Sequence, residues 1–233
     1  MSGGPDRGDA TAHHLEVTRT ARYWTLGDDV TGPRELWIVL HGYKQLARRF
    51  LRRFQPLADG TRRIVAPEGL SRFYAEAAPG RHGPTSVVGA SWMTREDRVA
   101  EIQDYVRYLD ALADTVRASL LEPPERTVVL GFSQGVATAC RWTSLGRVRP
   151  QRLLLWGDFV PPDLPWERVV AAWTGVEVVR VRGDRDLIFA DTARGEAEEE
   201  ALARAGVTSR IVRYAGGHDI EQRTLRGLAT GEV

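Results

Sequence analysis

Short apolar runs alternate along this chain with longer stretches in which apolar positions recur every three or four residues. Short runs rich in β-branched residues are typical of buried strands, and a spacing of three or four is typical of helices. The strand-like runs lie at 36–40, 64–67, 127–131, 152–156, 176–182 and 209–214, with one or two more strands expected within 15–26. The helix-like stretches lie at 45–58, 94–116, 134–145, 190–205 and from 219 onward. Strands that alternate with helices predict an α/β fold with a mostly parallel central sheet and helices on both faces.

Three segments give more specific expectations. The apolar stripe of the longest helix consists of Val99, Ile102, Val106, Leu109, Leu112 and Val116. In front of it, residues 94–97 (Thr-Arg-Glu-Asp) form a capping-box pattern, which predicts that the helix starts there. The helical spacing within 45–58 comes from Leu46, Phe50, Phe54 and Leu57. Residues 69–92 are rich in glycine, proline, serine and aromatic residues and predict a loop.

The chain has 233 residues, of which 42% are hydrophobic, and this is enough to bury one sizeable core. We expect a flexible tail over 1–14 and a single domain over 15–233, with little or no lid. Lys and Arg number 32 and Asp and Glu 31, so the net charge of +1 gives no reason to expect a nucleic-acid partner. No run approaches the roughly 20 apolar residues that span a membrane, and the first residues lack the apolar core of a signal peptide. These features predict a cytoplasmic protein without integral membrane association.

The strongest chemical signal is Gly131-Phe132-Ser133-Gln134-Gly135, a Gly-x-Ser-x-Gly pattern between a predicted strand and a predicted helix. In that context the pattern is typical of a nucleophile elbow, a sharp turn that exposes a serine hydroxyl at the tip of a strand. The serine backbone is strained there, and a glycine two residues before and after it has no Cβ that would collide. Ser133 is therefore the predicted nucleophile.

A serine hydroxyl reacts readily only when a base takes its proton and a third group orients that base. The chain order in this kind of site is serine, acid, histidine, and His218 is the only histidine after Ser133. Asp186 is the favoured acid because it follows a predicted strand, and catalytic groups gather at the carboxyl ends of parallel strands. Asp184 in the same segment and Asp158 after the preceding strand remain alternatives.

The early strand at 36–40 ends in His41-Gly42-Tyr43-Lys44-Gln45, which suits a loop that binds an oxyanion. Such a site needs two fixed N–H donors aimed at the oxygen that becomes negative. We assign this role to the backbone N–H groups of Tyr43 and Gln134. An ordinary tight turn is the alternative for the loop, and His41 is expected to tie it down by hydrogen bonds.

In the order Leu-His-Gly-Tyr-Lys-Gln, Gly-Phe-Ser-Gln-Gly, Gly-Asp-Arg-Asp and Gly-Gly-His, these motifs resemble the phospholipase/carboxylesterase family of α/β-hydrolases. The resemblance runs from about Glu35 to about Gly227 and implies the α/β-hydrolase fold and no cofactor or metal. It implies a triad and two oxyanion donors at Ser133, Asp186, His218, Tyr43 and Gln134. The chain departs from the family pattern at Lys44, where glycine is usual, at 156–158 (Trp-Gly-Asp), where Ser-Gly is usual, and at 89–94, which does not match the thioesterase branch.

These motifs predict a serine carboxylesterase that hydrolyses short to medium acyl esters of small molecules through an acyl-enzyme. A lysophospholipase, an acyl-thioesterase and a non-catalytic ligand-binding protein of the same fold are the alternatives, since a fold does not fix a function. The sequence does not decide between a monomer and a homodimer. Aromatic residues expected to flank the serine, or else to pack the loops down, are Phe73, Tyr74, Trp92, Phe159, Trp166 and Trp173.

One basic cluster lies on the predicted helix at 45–58 and consists of Arg48, Arg49, Arg52 and Arg53, with Lys44 before it. Such a cluster can bind phospholipid head groups or other anions. A solvated helix face is the favoured interpretation, because charge runs on helices are usually that.

Overall fold

The computed structural model describes residues 11–27, 32–75 and 82–233. Its main sheet has seven strands in the order β1-β3-β2-β6-β7-β8-β9, of which β1 is antiparallel to β3 and the others are parallel. These strands are β1 (Tyr23–Leu26), β2 (Glu35–Leu40), β3 (Arg62–Pro67), β6 (Arg126–Phe132), β7 (Arg152–Trp156), β8 (Glu177–Gly183) and β9 (Ser209–Tyr214). A separate antiparallel pair consists of β4 (Ser71–Tyr74) and β5 (Val88–Ser91).

Helices cover both faces of the sheet. They are α1 (Ala47–Leu51), α2 (Arg98–Ala118), α3 (Gln134–Leu145), α4 (Trp166–Trp173), α5 (Thr192–Arg204) and α6 (Gln222–Thr230), with 3₁₀ helices at Arg52–Leu57 and Leu187–Ala190. One hydrophobic cluster joins the sheet to α2, α3, α4 and one residue of α5, and a second joins it to α1, the first 3₁₀ helix and α6. The predicted α/β architecture with a mostly parallel sheet is confirmed.

The predicted helix at 45–58 is two shorter helices. Helix α1 ends at Leu51, and a 3₁₀ helix that contains Pro56 continues to Leu57. Proline has no N–H to donate to the preceding turn and its ring collides with that turn, so a regular α-helix cannot continue through it. Phe50, Phe54 and Leu57 are nevertheless buried, as the apolar spacing predicts.

The capping box predicted at 94–97 does not form. Helix α2 begins at Arg98 after Asp97, which has a left-handed backbone with φ of 48°, and the side chain of Glu101 accepts a hydrogen bond from the Thr94 N–H. The stripe predicted for this helix is buried except for Val99, which is 64% exposed. Val99 lies in the first turn, beyond the edge of the sheet-facing cluster.

The segment predicted as a loop at 69–92 is a loop only in part, because β4 and β5 pair within it, with Ser71 opposite Ser91. Residues 76–81 of this segment lie outside the described residues, as do 1–10 of the expected tail. Within 15–26 only Tyr23–Leu26 is a strand. The last helix begins at Gln222 rather than near 219, because the Glu221 side chain accepts hydrogen bonds from two backbone N–H groups and caps it there.

Candidate active site

Ser133 lies in a strained turn between β6 and α3, with φ of 53° and ψ of −123°. The two glycines of the motif make this turn possible. A Cβ on Gly131 would overlap the carbonyl oxygen of Gly135, and a Cβ on Gly135 would overlap that of Leu40. Because backbone atoms occupy both positions, a side chain could not be fitted by moving a neighbouring side chain aside. The backbone at 131–135 thus has the geometry expected of a nucleophile elbow.

The hydrogen bonds around the turn leave the N–H group that follows the serine free. The Ser133 N–H donates to the carbonyl of Trp156 over 2.9 Å, and the Val136 N–H donates to the carbonyl of Ser133 over 2.7 Å. The Gln134 side chain is held away from the turn by bonds to Ser91 and to the carbonyl of Met93. Among the described residues, the Gln134 backbone N–H has no acceptor.

A second free donor comes from the loop after β2. This loop packs directly against the serine, since a Cβ on Gly42 would lie 3.1 Å from the Ser133 Cβ. Two bonds fix it, from the Gly42 N–H to the Gln45 side chain over 2.9 Å and from the Lys44 N–H to the Ala90 carbonyl over 3.0 Å. In the part of the chain that the structure describes, the Tyr43 N–H between them donates to no protein atom.

His41 stabilises the same loop through its buried imidazole. Its Nδ1 lies 2.8 Å from the Gly42 carbonyl oxygen, and its Nε2 accepts a hydrogen bond from the Gly69 N–H over 2.9 Å. Trp92 stacks on the ring at 4.9 Å between centroids and donates its indole N–H to the His41 carbonyl. Burial of the ring lowers the pKa of His41 to about 4. The histidine is therefore neutral, with the proton on Nδ1, as these two partners require.

His218 follows β9 and forms a hydrogen bond with the buried acid after β8. Its Nδ1 lies 2.8 Å from Oδ2 of Asp186, which is only 5% exposed. The other carboxylate oxygen of Asp186 accepts a hydrogen bond from the Ile188 N–H over 3.1 Å. Both oxygens of the acid are thus held, and the acid in turn fixes the orientation of the imidazole.

The imidazole lies next to the residue that precedes the serine. Its ring centroid is 4.9 Å from that of Phe132, and a Cβ on Gly157 would lie 3.2 Å from its Cε1. Within the described residues no hydrogen bond joins Ser133 to His218. Such bonds are often long in unliganded sites and shorten when substrate binds.

The two alternative acids have other partners. Asp184 accepts a hydrogen bond from the Gly216 N–H over 2.9 Å and so holds the loop that carries the histidine. Asp158 accepts from the Phe159 N–H over 2.8 Å and from Arg194 over 3.3 Å. Burial raises the pKa of Asp158, although the Phe159 N–H and Arg194 oppose this.

The loop of His218 is also fixed by two aromatic residues that the sequence motifs do not include. The Tyr214 hydroxyl lies 2.7 Å from the Gly217 carbonyl oxygen and 2.6 Å from that of Asp219. The indole N–H of Trp156 donates to the Asp219 carbonyl over 2.9 Å. The available signal for this support was a polar aromatic residue at the end of each of the strands β7 and β9.

A buried cluster of charged side chains lies behind the loop that carries Asp186, and the sequence analysis did not predict it. Glu198 of α5 accepts from Arg180 over 2.7 Å and pairs with Arg182, and it accepts from the Val160 N–H over 2.6 Å. Glu199 makes a second pair with Arg180. Burial lowers the pKa of Arg182. Arginine at alternate positions of an otherwise apolar strand was the signal, since buried charges require partners.

The predicted aromatic mouth is only partly present, because Trp92, Trp166 and Trp173 pack within or against the core. The indole N–H of Trp173, for instance, donates to the Thr143 hydroxyl. Phe73 stacks on Tyr43 near the serine, at 5.4 Å between centroids.

The basic cluster on α1 and the 3₁₀ helix does not act as one unit. Arg53 pairs with Asp219 in the histidine loop, and the Arg48 guanidinium lies 5.2 Å from the Trp24 ring centroid. The residues that remain exposed are Arg48, Arg49 and Arg52.

Within the described ranges, no three His, Cys, Asp or Glu side chains come together as a metal site would require. None of the described helices has the length and apolar character needed to cross a membrane. Cavities of about 510 and 520 Å³ lie beside α2 and α5, and Ser133 and His218 line neither.

No protein-family model matches the sequence, and no curated protein is similar to it by sequence. Solved structures do match. Esterase PE8 is 21% identical with a TM-score of 0.64, over 92% of this chain and 98% of that one. Acyl-protein thioesterase 2 of Zea mays is 15% identical with a TM-score of 0.65, over 91% and 98%. A carboxylesterase of Mesorhizobium loti is 20% identical with a TM-score of 0.63, over 91% and 95%. At these identities the likeness concerns the fold, and the chain has the α/β-hydrolase fold.

Proposed function

We propose that the protein is a serine hydrolase of carboxylic esters, in which Ser133 is the nucleophile, His218 the base and Asp186 the acid. The observation that carries this proposal is the conjunction of three features around one residue. Ser133 has the strained elbow backbone, a histidine held by a buried aspartate packs on the preceding residue Phe132, and the Tyr43 and Gln134 N–H groups have no acceptor among the described residues. The proposal extends to membership of the phospholipase/carboxylesterase family, on the motifs given above.

In the proposed reaction, Nε2 of His218 takes the Ser133 proton as Oγ bonds to the acyl carbon. The electron pair of the carbonyl moves to its oxygen, and the Tyr43 and Gln134 N–H groups stabilise the negative charge. Collapse of the intermediate breaks the bond to the leaving group, which receives its proton from His218. Water then attacks the acyl-enzyme by the same steps and releases the carboxylic acid and free Ser133. Asp186 keeps the imidazole in the tautomer that has its proton on Nδ1.

We propose a small-molecule ester with a short to medium acyl group as the substrate, because the stacked rings of Tyr43 and Phe73 near the serine are partly exposed and give apolar contact to a short chain. A thioester is the second candidate, favoured by the structural similarity to acyl-protein thioesterase 2 of Zea mays. The same three catalytic groups would act on either bond. A lysophospholipase and a non-catalytic ligand-binding protein are the remaining alternatives.

The test is hydrolysis of p-nitrophenyl acetate and butyrate by the parent and by Ser133→Ala. We expect the substitution to lower kcat by at least about 10⁴-fold, because nucleophile and base act as a unit. Ser119→Ala, which changes an exposed serine at the end of α2, is the matched control and should retain parental activity. Turnover by Ser133→Ala close to that of the parent would exclude the proposed nucleophile.

A further inference from the structure

Lys44 has a backbone conformation that favours glycine. Its φ is 65°, and among the described residues only Asp97 and Ser133 are other non-glycine residues with positive φ. The strain at Ser133 belongs to the elbow, and Asp97 lies at the start of α2. Lys44 has neither explanation, and an L-residue that keeps such a conformation next to a reactive serine suggests a role for its side chain.

The fold imposes the backbone at this position but not the lysine. The Lys44 N–H donates to the carbonyl of Ala90 in β5, and a Cβ on Gly89 would lie 2.8 Å from the Lys44 Cα. This close packing fixes the chain in the left-handed region. Glycine would satisfy the same contacts without strain, because it has no Cβ. Packing of the loop therefore does not explain why position 44 carries a lysine side chain.

The side chain is an exposed cation at the edge of the candidate site. Its Nζ lies 5.6 Å from the ring centroid of Tyr43, which is half exposed and stacks on Phe73. No carboxylate within the described ranges lies within 4 Å of it. The neighbouring peptide N–H, that of Tyr43, is one of the two proposed oxyanion donors. The ammonium group thus lies at the edge of the candidate site and forms no ion pair with the described residues.

The order of the strands decides which part of the substrate meets this cation. Ser133 follows β6, Lys44 follows β2 on one side of it, and Gly157, against which His218 packs, follows β7 on the other. His218 must lie beside the leaving group in order to protonate it. The acyl group lies on the side away from His218, and beyond the carbonyl oxygen at the Tyr43 N–H the surface it meets on the β2 side consists of the Tyr43 ring and Lys44.

We propose that Lys44 is a specificity residue that binds an anionic group at the far end of the acyl chain, so that half-esters of dicarboxylic acids are preferred over neutral esters. Gly42 touches the serine, and the Cα atoms of Gly42 and Lys44 are at most about 7 Å apart, so a carboxylate several bonds from the scissile carbonyl can reach the ammonium. This inference rests on the proposed esterase function and names its substrate class.

The test compares kcat/KM for monomethyl adipate with that for methyl hexanoate, which has a similar acyl length and no charge. We expect the ratio of the two values to fall about tenfold in Lys44→Gln and to be largely retained in Lys44→Arg. In the parent the ratio should fall between 20 mM and 500 mM NaCl, whereas in Lys44→Gln it should be independent of salt. Arg49→Gln, which removes an exposed charge from α1, controls for net charge and should leave the ratio unchanged.

Equal ratios in the parent and in Lys44→Gln, with both esters hydrolysed, would overturn the role of Lys44 and leave the esterase function intact. A fall of the same size in Arg49→Gln would overturn it as well, since the effect would then come from net charge alone. Failure of the parent to hydrolyse either ester would count against the esterase function itself, and this inference would fall with it.

Discussion

Asp184 and Asp186 are two residues apart on the loop after β8, yet their carboxylates have different partners. Asp186 is buried against the imidazole of His218, whereas Asp184 accepts from the Gly216 N–H at the surface. One acid therefore orients the proposed base, and the other holds the loop that carries it. An amide at position 184 can still accept the same hydrogen bond, but an amide at position 186 offers the base no negative charge.

This difference predicts unequal effects of the same substitution at the two positions. Asp186→Asn should lower kcat by about 10³-fold or more, because the imidazolium that forms in the transition state loses its stabilising charge. Asp184→Asn is the matched control and should keep kcat within a few-fold of the parent. Steady-state kinetics on p-nitrophenyl butyrate measures both, and a larger loss in Asp184→Asn would reverse the assignment of the acid.

The residues of the candidate site could be named from sequence because their signals are local. The glycines around Ser133 and the single downstream histidine leave few choices, and the elbow backbone is as expected. Support from Tyr214 and the pairing of Glu198 with Arg182 could not be named, because each contact forms only when the segment after a strand folds back onto that strand. No periodicity in the sequence records such contacts. The catalytic roles themselves remain predictions.

At the scale of elements, the loop after β2 is held by a neutral histidine. The pKa of His41 in the fold is about 4, against an ordinary value of 6.5. Between these two pH values the unfolded chain therefore binds a proton at His41 that the folded chain does not bind. The contribution of His41 to the free energy of unfolding is consequently complete above pH 6.5 and is lost as the pH falls toward 4.

We expect this single group to lower the free energy of unfolding by about 2 kcal/mol between pH 7 and pH 5. NMR of the imidazole nitrogens should show His41 neutral at pH 5.5 with its proton on Nδ1. In His41→Gln, whose amide can replace both hydrogen bonds, this part of the pH dependence of urea unfolding should disappear. An imidazole that titrates near pH 6.5 would contradict the account of the loop.

Elements with a continuous local pattern were predictable, and those that depend on distant pairing were not. The parallel strands and the buried face of α2 follow from periodicity. The hairpin of β4 and β5 could not be predicted in this way. Its two strands are short, lack an alternation of apolar and polar residues, and are stabilised by pairing across an intervening segment. Pro56 was visible in the sequence and lies within the 3₁₀ helix that follows α1.

On the scale of the whole molecule, the strand order puts the two halves of the proposed substrate on opposite sides of Ser133. In the proposed complex the leaving group lies toward β7 and the acyl group toward β2, along the stacked rings of Tyr43 and Phe73. An aromatic wall that is partly exposed to solvent gives apolar contact to a short chain, but further methylene groups gain little burial.

This arrangement predicts an optimum in acyl length. In a series of p-nitrophenyl esters from C2 to C16, kcat/KM should be highest for short to medium chains and should not rise beyond about C8, because additional methylene groups remain in water. Assays below the critical micelle concentration of each ester keep the comparison valid. A steady rise to the C16 ester would mean that a long apolar channel opens from the site.

Covalent labelling with a fluorophosphonate tests the central claim most directly, because the reagent reacts with a serine only when a base and an oxyanion site activate it. The account predicts one adduct per chain, mapped by mass spectrometry to Ser133, with ester hydrolysis lost in proportion to labelling. Labelling of another residue, or hydrolysis that persists in the fully labelled protein, would contradict it. Inertness toward both the reagent and every ester would identify instead a binding protein with a hydrolase fold.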